Sequence, residues 1–202
     1  PIPPPTRPAI SEAMVAERRG WSFRDVINEW GTAADRLIVT ASQIPAEEWD
    51  ERTVSWLDGT AVSVSDLVQS RVAEWWIHGE DVRAGGERAA RTEPRPIWLL
   101  NDLAIRRLPQ ALSGTGNEYW GLSVRVTLEG PGGGTWHQRL APGPVPDDSK
   151  QADVSIDARG QAFALLAGRR ISADPLLANG QLLLGGNDLV GYDTLEHIRP
   201  YL

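Results

Sequence analysis

The stretch Arg71-Val72-Ala73-Glu74-Trp75-Trp76-Ile77-His78-Gly79-Glu80-Asp81 decides how the chain is read. At heptad spacing, Val64, Leu67, Arg71, Glu74, His78 and Asp81 fall on one stripe of a single helix, so an apolar seam turns polar halfway along. Val68, Val72, Trp75 and Val82 form a second, apolar stripe, which predicts packing on two sides and a polar stripe that faces inward. Burying a carboxylate and an imidazole costs several kcal/mol unless each has a partner. A divalent metal or a closed ion-pair network would supply one.

Working outward, Ser63 with Asp66 three residues on is a capping pattern that starts this helix, and Gly85-Gly86 ends it. Asp58-Gly59 marks a turn before it. Further upstream, Ser22 with Asp25 repeats the capping pattern, and Phe23, Ile27, Trp30, Ala34, Leu37, Ala41 and Ile44 continue at helical spacing up to Pro45. A short helix over 11–19 precedes it. Downstream, a helix is predicted over 97–112, kinked or ended early by Pro109. The period then changes: Leu122, Val124, Val126 and Leu128 alternate with Ser123, Arg125, Thr127 and Glu129, a half-buried strand. Further strands are expected over 135–141, around Val154 and Ile156, and over 181–184, with helices over 161–167 and 188–201. Helices followed by strands with helices on one face predict an all-α domain, 1–115, and an α+β domain, 116–202.

Composition narrows the function classes. The 202 residues carry a net charge of -7, which disfavours nucleic acid and anionic membrane surfaces as partners. No run is long and apolar enough to span a bilayer and no signal peptide is legible, so a cytoplasmic location is expected. There is no cysteine, so any metal is held by nitrogen and oxygen, and any thiol chemistry uses a thiol brought in. The proline-rich start, without methionine, reads as a linker or the middle of a longer chain.

Glu74 and His78 form an E-x-x-x-H pair at i, i+4, which places a carboxylate and an imidazole one turn apart. That spacing suits two ligands of one zinc or similar ion. A catalytic zinc takes three protein ligands, and the bare pattern favours a structural ion pair over metal. Asp81 is placed to hold the other ring nitrogen of His78, and Arg71 to hold Glu74 or a substrate carboxylate. His137 and His197 read as ordinary surface or packing residues. Gly130 to Gly134 joins two strands, which argues against a phosphate loop. Gly168-Arg169-Arg170 reads as a C-cap glycine with cations at a helix end, ahead of an anion site.

Arg71 through Arg83 resembles the last bundle helix of the mycothiol-dependent maleylpyruvate isomerase family, a group of DinB-like metal-binding bundles. Trp49-Asp50 with Val62 to Asp66 resembles the approach to that helix, and Asn101 to Pro109 the connector after it. The run from Ala152 through Phe163 to Arg169 and on to Asp188 is similar to the family's sterol-carrier-like C-terminal domain. The resemblance implies a partial DinB-like bundle followed by a small sterol-carrier-like α+β domain. It implies a divalent metal, zinc in the family, held by Glu74 and His78 with a histidine from an earlier bundle helix that has no counterpart here. It further implies activation of the thiol of mycothiol, with Arg71, Arg169 or Arg170 holding substrate carboxylates. The expected activity is isomerisation of, or thiol transfer to, a small electrophilic substrate. The missing first helices imply a fragment, a homodimer or partner chain that completes the bundle, or a site that has degenerated and binds no metal. A non-catalytic binder of a small apolar ligand is the reading from another class, and a regulatory partner a third.

Overall fold

The computed structural model describes residues 7–55, 59, 61–113, 115, 119–143 and 151–200. They divide into two compact units, Pro1–Val68 and Gln69–Leu202.

The first unit begins with α1 (Arg7–Arg18) and α2 (Phe23–Ser42). Ser22 caps α2 as expected: its hydroxyl accepts from the Asp25 amide, and the Asp25 carboxylate accepts from the Ser22 amide. The Arg18 guanidinium forks onto Glu29, with Nε to Oε2 at 2.5 Å and Nη2 to Oε1 at 2.6 Å, and so ties α1 to α2. A 3-10 turn (Ala46–Glu48) and an antiparallel pair, β1 (Thr53–Ser55) with β2 (Ala61–Ser63), follow. Between those strands Gly59 has φ +83°, while Asp58 of the expected turn lies outside the described residues. The Ser63 hydroxyl accepts from the Asp66 amide at 3.1 Å and starts α3 (Val64–Gly85), which runs across the unit boundary.

In the second unit, α4 (Pro94–Arg106) and α5 (Leu108–Leu112) replace the single helix expected over 97–112. Pro109 lacks the N–H that would bond to Ile105, so the helix breaks just ahead of it and restarts with proline in its first turn. The sheet is mixed, in the order β4-β3-β5-β6, from β3 (Ser123–Glu129), β4 (Gly134–Arg139), β5 (Val154–Arg159) and β6 (Leu182–Gly186). β3 pairs antiparallel with β4 and parallel with β5, and β6 is antiparallel to β5. The register aligns Trp136, Val126, Ile156 and Leu184 in one row. Successive side chains of a strand alternate between faces, so this row belongs to the face that packs against the helices. Val126 and Ile156 are fully buried there with Ile97, Leu100 and Phe163. The architecture is helices followed by an α+β arrangement, as the change of period predicts.

Three helices complete the unit: α6 (Gly160–Ala167), α7 (Ala173–Ala178) and α8 (Asp188–His197). α7 had no counterpart in the expected order, and α8 stops short of the expected 201. Pro200 disfavours helical geometry at the residue before it, and the backbone is already extended at Ile198. The buried Asn101 amide donates to the carbonyls of Gly132 and Gly160, both at 3.0 Å, and pins the glycine loop to the start of α6. A Cβ at Gly160 would sit 2.4 Å from the Pro131 carbonyl oxygen, so this crossing requires glycine. The expected domain boundary over 113–119 runs across residues that are mostly outside the described ones. Among the described residues no helix is long and apolar enough to cross a membrane.

Candidate functional site

α3 is rotated from the expected orientation. Its buried face is Ser70, Ala73, Trp76, Ile77 and Glu80, not the stripe from Arg71 to Asp81. The buried set is the expected stripe shifted by one residue, a rotation of about 100°, which puts Ala73, Trp76 and Ile77 into the core with Leu100, Ala104 and Phe163. The polar stripe therefore flanks the buried seam. Arg71 and Glu74 are half-buried, whereas His78 and Asp81 face solvent, with 65% and 39% of their side chains exposed. Trp75 and Val82 of the expected second apolar stripe are exposed as well. Glu80, which the pattern did not single out, is the buried carboxylate, and it accepts from the Arg91 amide at 3.1 Å.

The stripe nevertheless forms a chain of charges. Glu74 Oε2 lies 3.3 Å from His78 Nε2, and His78 Nδ1 lies 3.1 Å from Asp81 Oδ2. Arg71 Nη2 stands 4.0 Å from Glu74 Oε1. From the segment after α6, Arg170 forks onto Asp81, with Nε to Oδ1 at 2.7 Å and Nη2 to Oδ2 at 2.5 Å. This hydrogen-bonded fork, aided by His78, holds the Asp81 carboxyl down at about 2. Asp81 is thereby held as an anion, an acceptor for the Nδ1–H of His78 in the tautomer that carries it. The Nε2 lone pair then faces Glu74, and two lone pairs at that distance repel unless a proton or a cation lies between them.

Two zinc ligands at about 2.0–2.1 Å in a tetrahedral arrangement stand about 3.3 Å apart, so Glu74 and His78 fit two corners of such a site. No group of three or more metal-capable side chains occurs among the described residues. The donor set fits a metal at two positions and stops there.

Beside the chain of charges lies a pocket of about 340 Å³, lined by Leu166, Arg169, Arg170, Ile171, Ser172, Ala173, Leu195 and Glu196. Its arginines owe their placement to an unusual helix end. Gly168 is the C-cap of α6, as expected, but in helical geometry, and the residue after it, Arg169, takes φ +61°. The glycine is needed for close approach: a Cβ there would meet the Ile77 side chain at 3.0 Å. The left-handed backbone at Arg169 costs of order 1 kcal/mol. Arg169 donates to the Glu196 carbonyl, and Arg170 Nη1 to the Gly168 carbonyl at 2.6 Å. The structure thus brings Arg71, Glu74, His78, Asp81 and Arg170 into one chain and sets Arg169 in the adjoining pocket. Of the other histidines, His197 packs within α8 on the Asp193 carbonyl, and His137 lies in β4. Ser172 and Glu196 belong to no sequence motif, and only the fold brings them to the pocket.

No family model and no curated protein matches the chain. Among solved structures, sterol carrier protein 2 from Yarrowia lipolytica (apo form) is 15% identical, over 50% of this chain and 90% of that one, with a TM-score of 0.34. Sterol carrier protein 2-like 2 from Aedes aegypti is 16% identical over 48% of this chain and 94% of that one, with a TM-score of 0.38. Sterol carrier protein 2-like 3 from the same organism is 17% identical over 47% and 92%, with a TM-score of 0.34. The likeness is one of fold over about half the chain, and at these scores it carries no argument about function. The maleylpyruvate isomerase and DinB-like parts of the expected resemblance find no support in these comparisons.

Proposed function

We propose that the unit formed by residues 69–202 binds a small molecule with an anionic group and an apolar body, and that it does so without catalysis. The observation that carries this is the pocket in which two successive arginines meet an apolar wall. Arg169 is held there at a backbone cost, and Leu166, Ile171 and Leu195 offer surface for the ligand body. Strain of this kind persists where the surroundings over-determine it, and it concentrates at ligand clamps. A volume of about 340 Å³ lies within the range of small-ligand sites. Arg170 is paired with the Asp81 carboxylate, whereas Arg169 donates to a neutral backbone carbonyl and keeps its charge for an anion, so Arg169 and the Ser172 hydroxyl are the groups that would meet it. Calorimetry with octanoate and octanol tests this. Octanoate binds the wild type, Arg169→Ala weakens it at least about tenfold, and octanol binds more weakly and equally to both. Equal binding of the two probes, or no effect of Arg169→Ala, would sink the reading.

One observation favours a second reading, a metal-dependent, mycothiol-using isomerase or S-transferase: the 3.3 Å spacing of Glu74 and His78. A bound divalent metal, zinc by resemblance, would supply a Lewis acid that lowers the pKa of an incoming thiol. Asp81 would keep the Nδ1 proton on His78 and leave Nε2 to the metal, while Arg71 and Arg169 would hold the carboxylates of an electrophilic substrate. The division at 115/116 into partial bundle and sterol-carrier-like domain, and a cytoplasmic location, belong to this reading too. Elemental mass spectrometry separates the two. Zinc near one equivalent, lost in both Glu74→Ala and His78→Ala, supports the enzyme. Protein that stays metal-free after zinc is added leaves the binder alone.

A further inference from the structure

We infer that the exposed apolar face of α2 is the contact surface of a homodimer, with the same helix of a second copy packed against it antiparallel about a two-fold axis at Trp30. Phe23, Ile27, Trp30, Ala34, Leu37 and Ala41 form one stripe of α2, with Val26 and Ile38 at its edges. Of these only Ala41 is buried, while Phe23 is 82% exposed, Ile38 58%, Trp30 56% and Ile27 47%. With side chains of roughly 150–250 Å² each, these residues with Val26 expose on the order of 600 Å² of apolar surface. Two copies would bury on the order of 1,200 Å², which reaches the lower end of specific, stable interfaces.

The face is self-complementary in size and in charge. With the axis at Trp30, Phe23 lies opposite Leu37 of the second copy and Ile27 opposite Ala34, a large residue against a smaller one in each layer. Arg24, Gly31 and Asp35 share one flank of the stripe, and antiparallel packing sets that flank against itself. Arg24 then falls beside Asp35 of the second copy, twice by symmetry. A membrane surface fits less well. Helices that lie on bilayers carry a basic polar face, whereas α2 carries Asp25, Glu29 and Asp35 against Arg24 and Arg36.

Sedimentation equilibrium of the full chain over a dilution series tests the inference. A monomer–dimer equilibrium is expected, and Ile27→Glu raises its dissociation constant at least about thirtyfold with helicity by circular dichroism unchanged. Arg24→Asp and Asp35→Arg each weaken the dimer about tenfold, and the double variant recovers to within about threefold of wild type. The chain has no cysteine, so single cysteines report the register. Gly31→Cys, where an added Cβ meets nothing within 4 Å, oxidises to a linked dimer. Ser42→Cys does not, because the two copies of that position lie about 36 Å apart along the axis. A wild type that stays monomeric at every concentration overturns the inference, as does a dimer indifferent to Ile27→Glu. Failure of the double variant to recover overturns the antiparallel register. A monomer that co-floats with neutral phosphatidylcholine vesicles assigns the face to lipid instead.

Discussion

α2 and α4 carry the same kind of pattern, an apolar stripe at helical spacing on a helix with a clear start, and they meet opposite fates. In α4, Ile97, Leu100, Leu103, Ala104 and Ile105 are all fully buried, most of them in the core formed with α6 and the sheet. In α2 only Ala41 is buried. A stripe in sequence states what a helix can offer. What stabilises the fold is the surface that covers it, and most helical stability in proteins comes from such packing. The contrast predicts the largest effect. Leu100→Ala leaves a cavity beneath the sheet and costs about 2–5 kcal/mol in the denaturant midpoint. Ile27→Ala, measured on dilute protein where no second copy covers α2, costs under about 0.5 kcal/mol. Comparable losses at the two sites would mean that α2 is covered within a single chain, and the contrast would fail.

A smaller effect sharpens the comparison at the junction of α3 and α6, where an added methyl group would press on the Ile77 side chain. Gly168→Ala places a Cβ about as near the Ile77 side chain as packing tolerates, so it costs about 1–3 kcal/mol. Combined with Ile77→Val, part of that loss returns, because the shorter side chain makes room. Purely additive losses in the double variant would show that the cost of Gly168→Ala does not arise from the contact with Ile77.

Local signals were legible wherever the physics is local. The Ser22–Asp25 and Ser63–Asp66 caps, the alternation through Val124, Val126 and Leu128, and the break ahead of Pro109 all rest on contacts within a few residues. The orientation of α3 was not legible, because both a heptad stripe and the Trp76-Ile77 seam fit a helix, and only the packing partners choose between them. The left-handed backbone at Arg169 and the close approach of Gly168 to Ile77, far away in sequence, were not legible for the same reason. α7 and the pairing of Glu80 with the Arg91 backbone carry no periodic signal. Within the candidate site, the members on α3 follow from i, i+3 and i, i+4 spacing. The clasp of Asp81 by Arg170 and the pocket beside it exist only once the second unit has folded.

That clasp yields a smaller effect again, and the one with the clearest sign. Asp81 has its carboxyl lowered from 3.8 to about 2 by the Arg170 fork first and by His78 second. A carboxyl lowered by folding contributes stability that is complete above its unfolded value and is lost as pH falls toward its folded one. The pair is partly exposed and screened, so its contribution is no more than about 1 kcal/mol. The difference in unfolding free energy between wild type and Arg170→Ala should therefore be constant above about pH 5 and shrink steadily from about pH 4 to pH 2. Carboxyl carbon shifts followed by NMR should show Asp81 of the variant titrating closer to its ordinary value, with His78 still beside it. A difference that grows on acidification would mean that Arg170 is held by some other acceptor and that the chain of charges on α3 ends at Asp81.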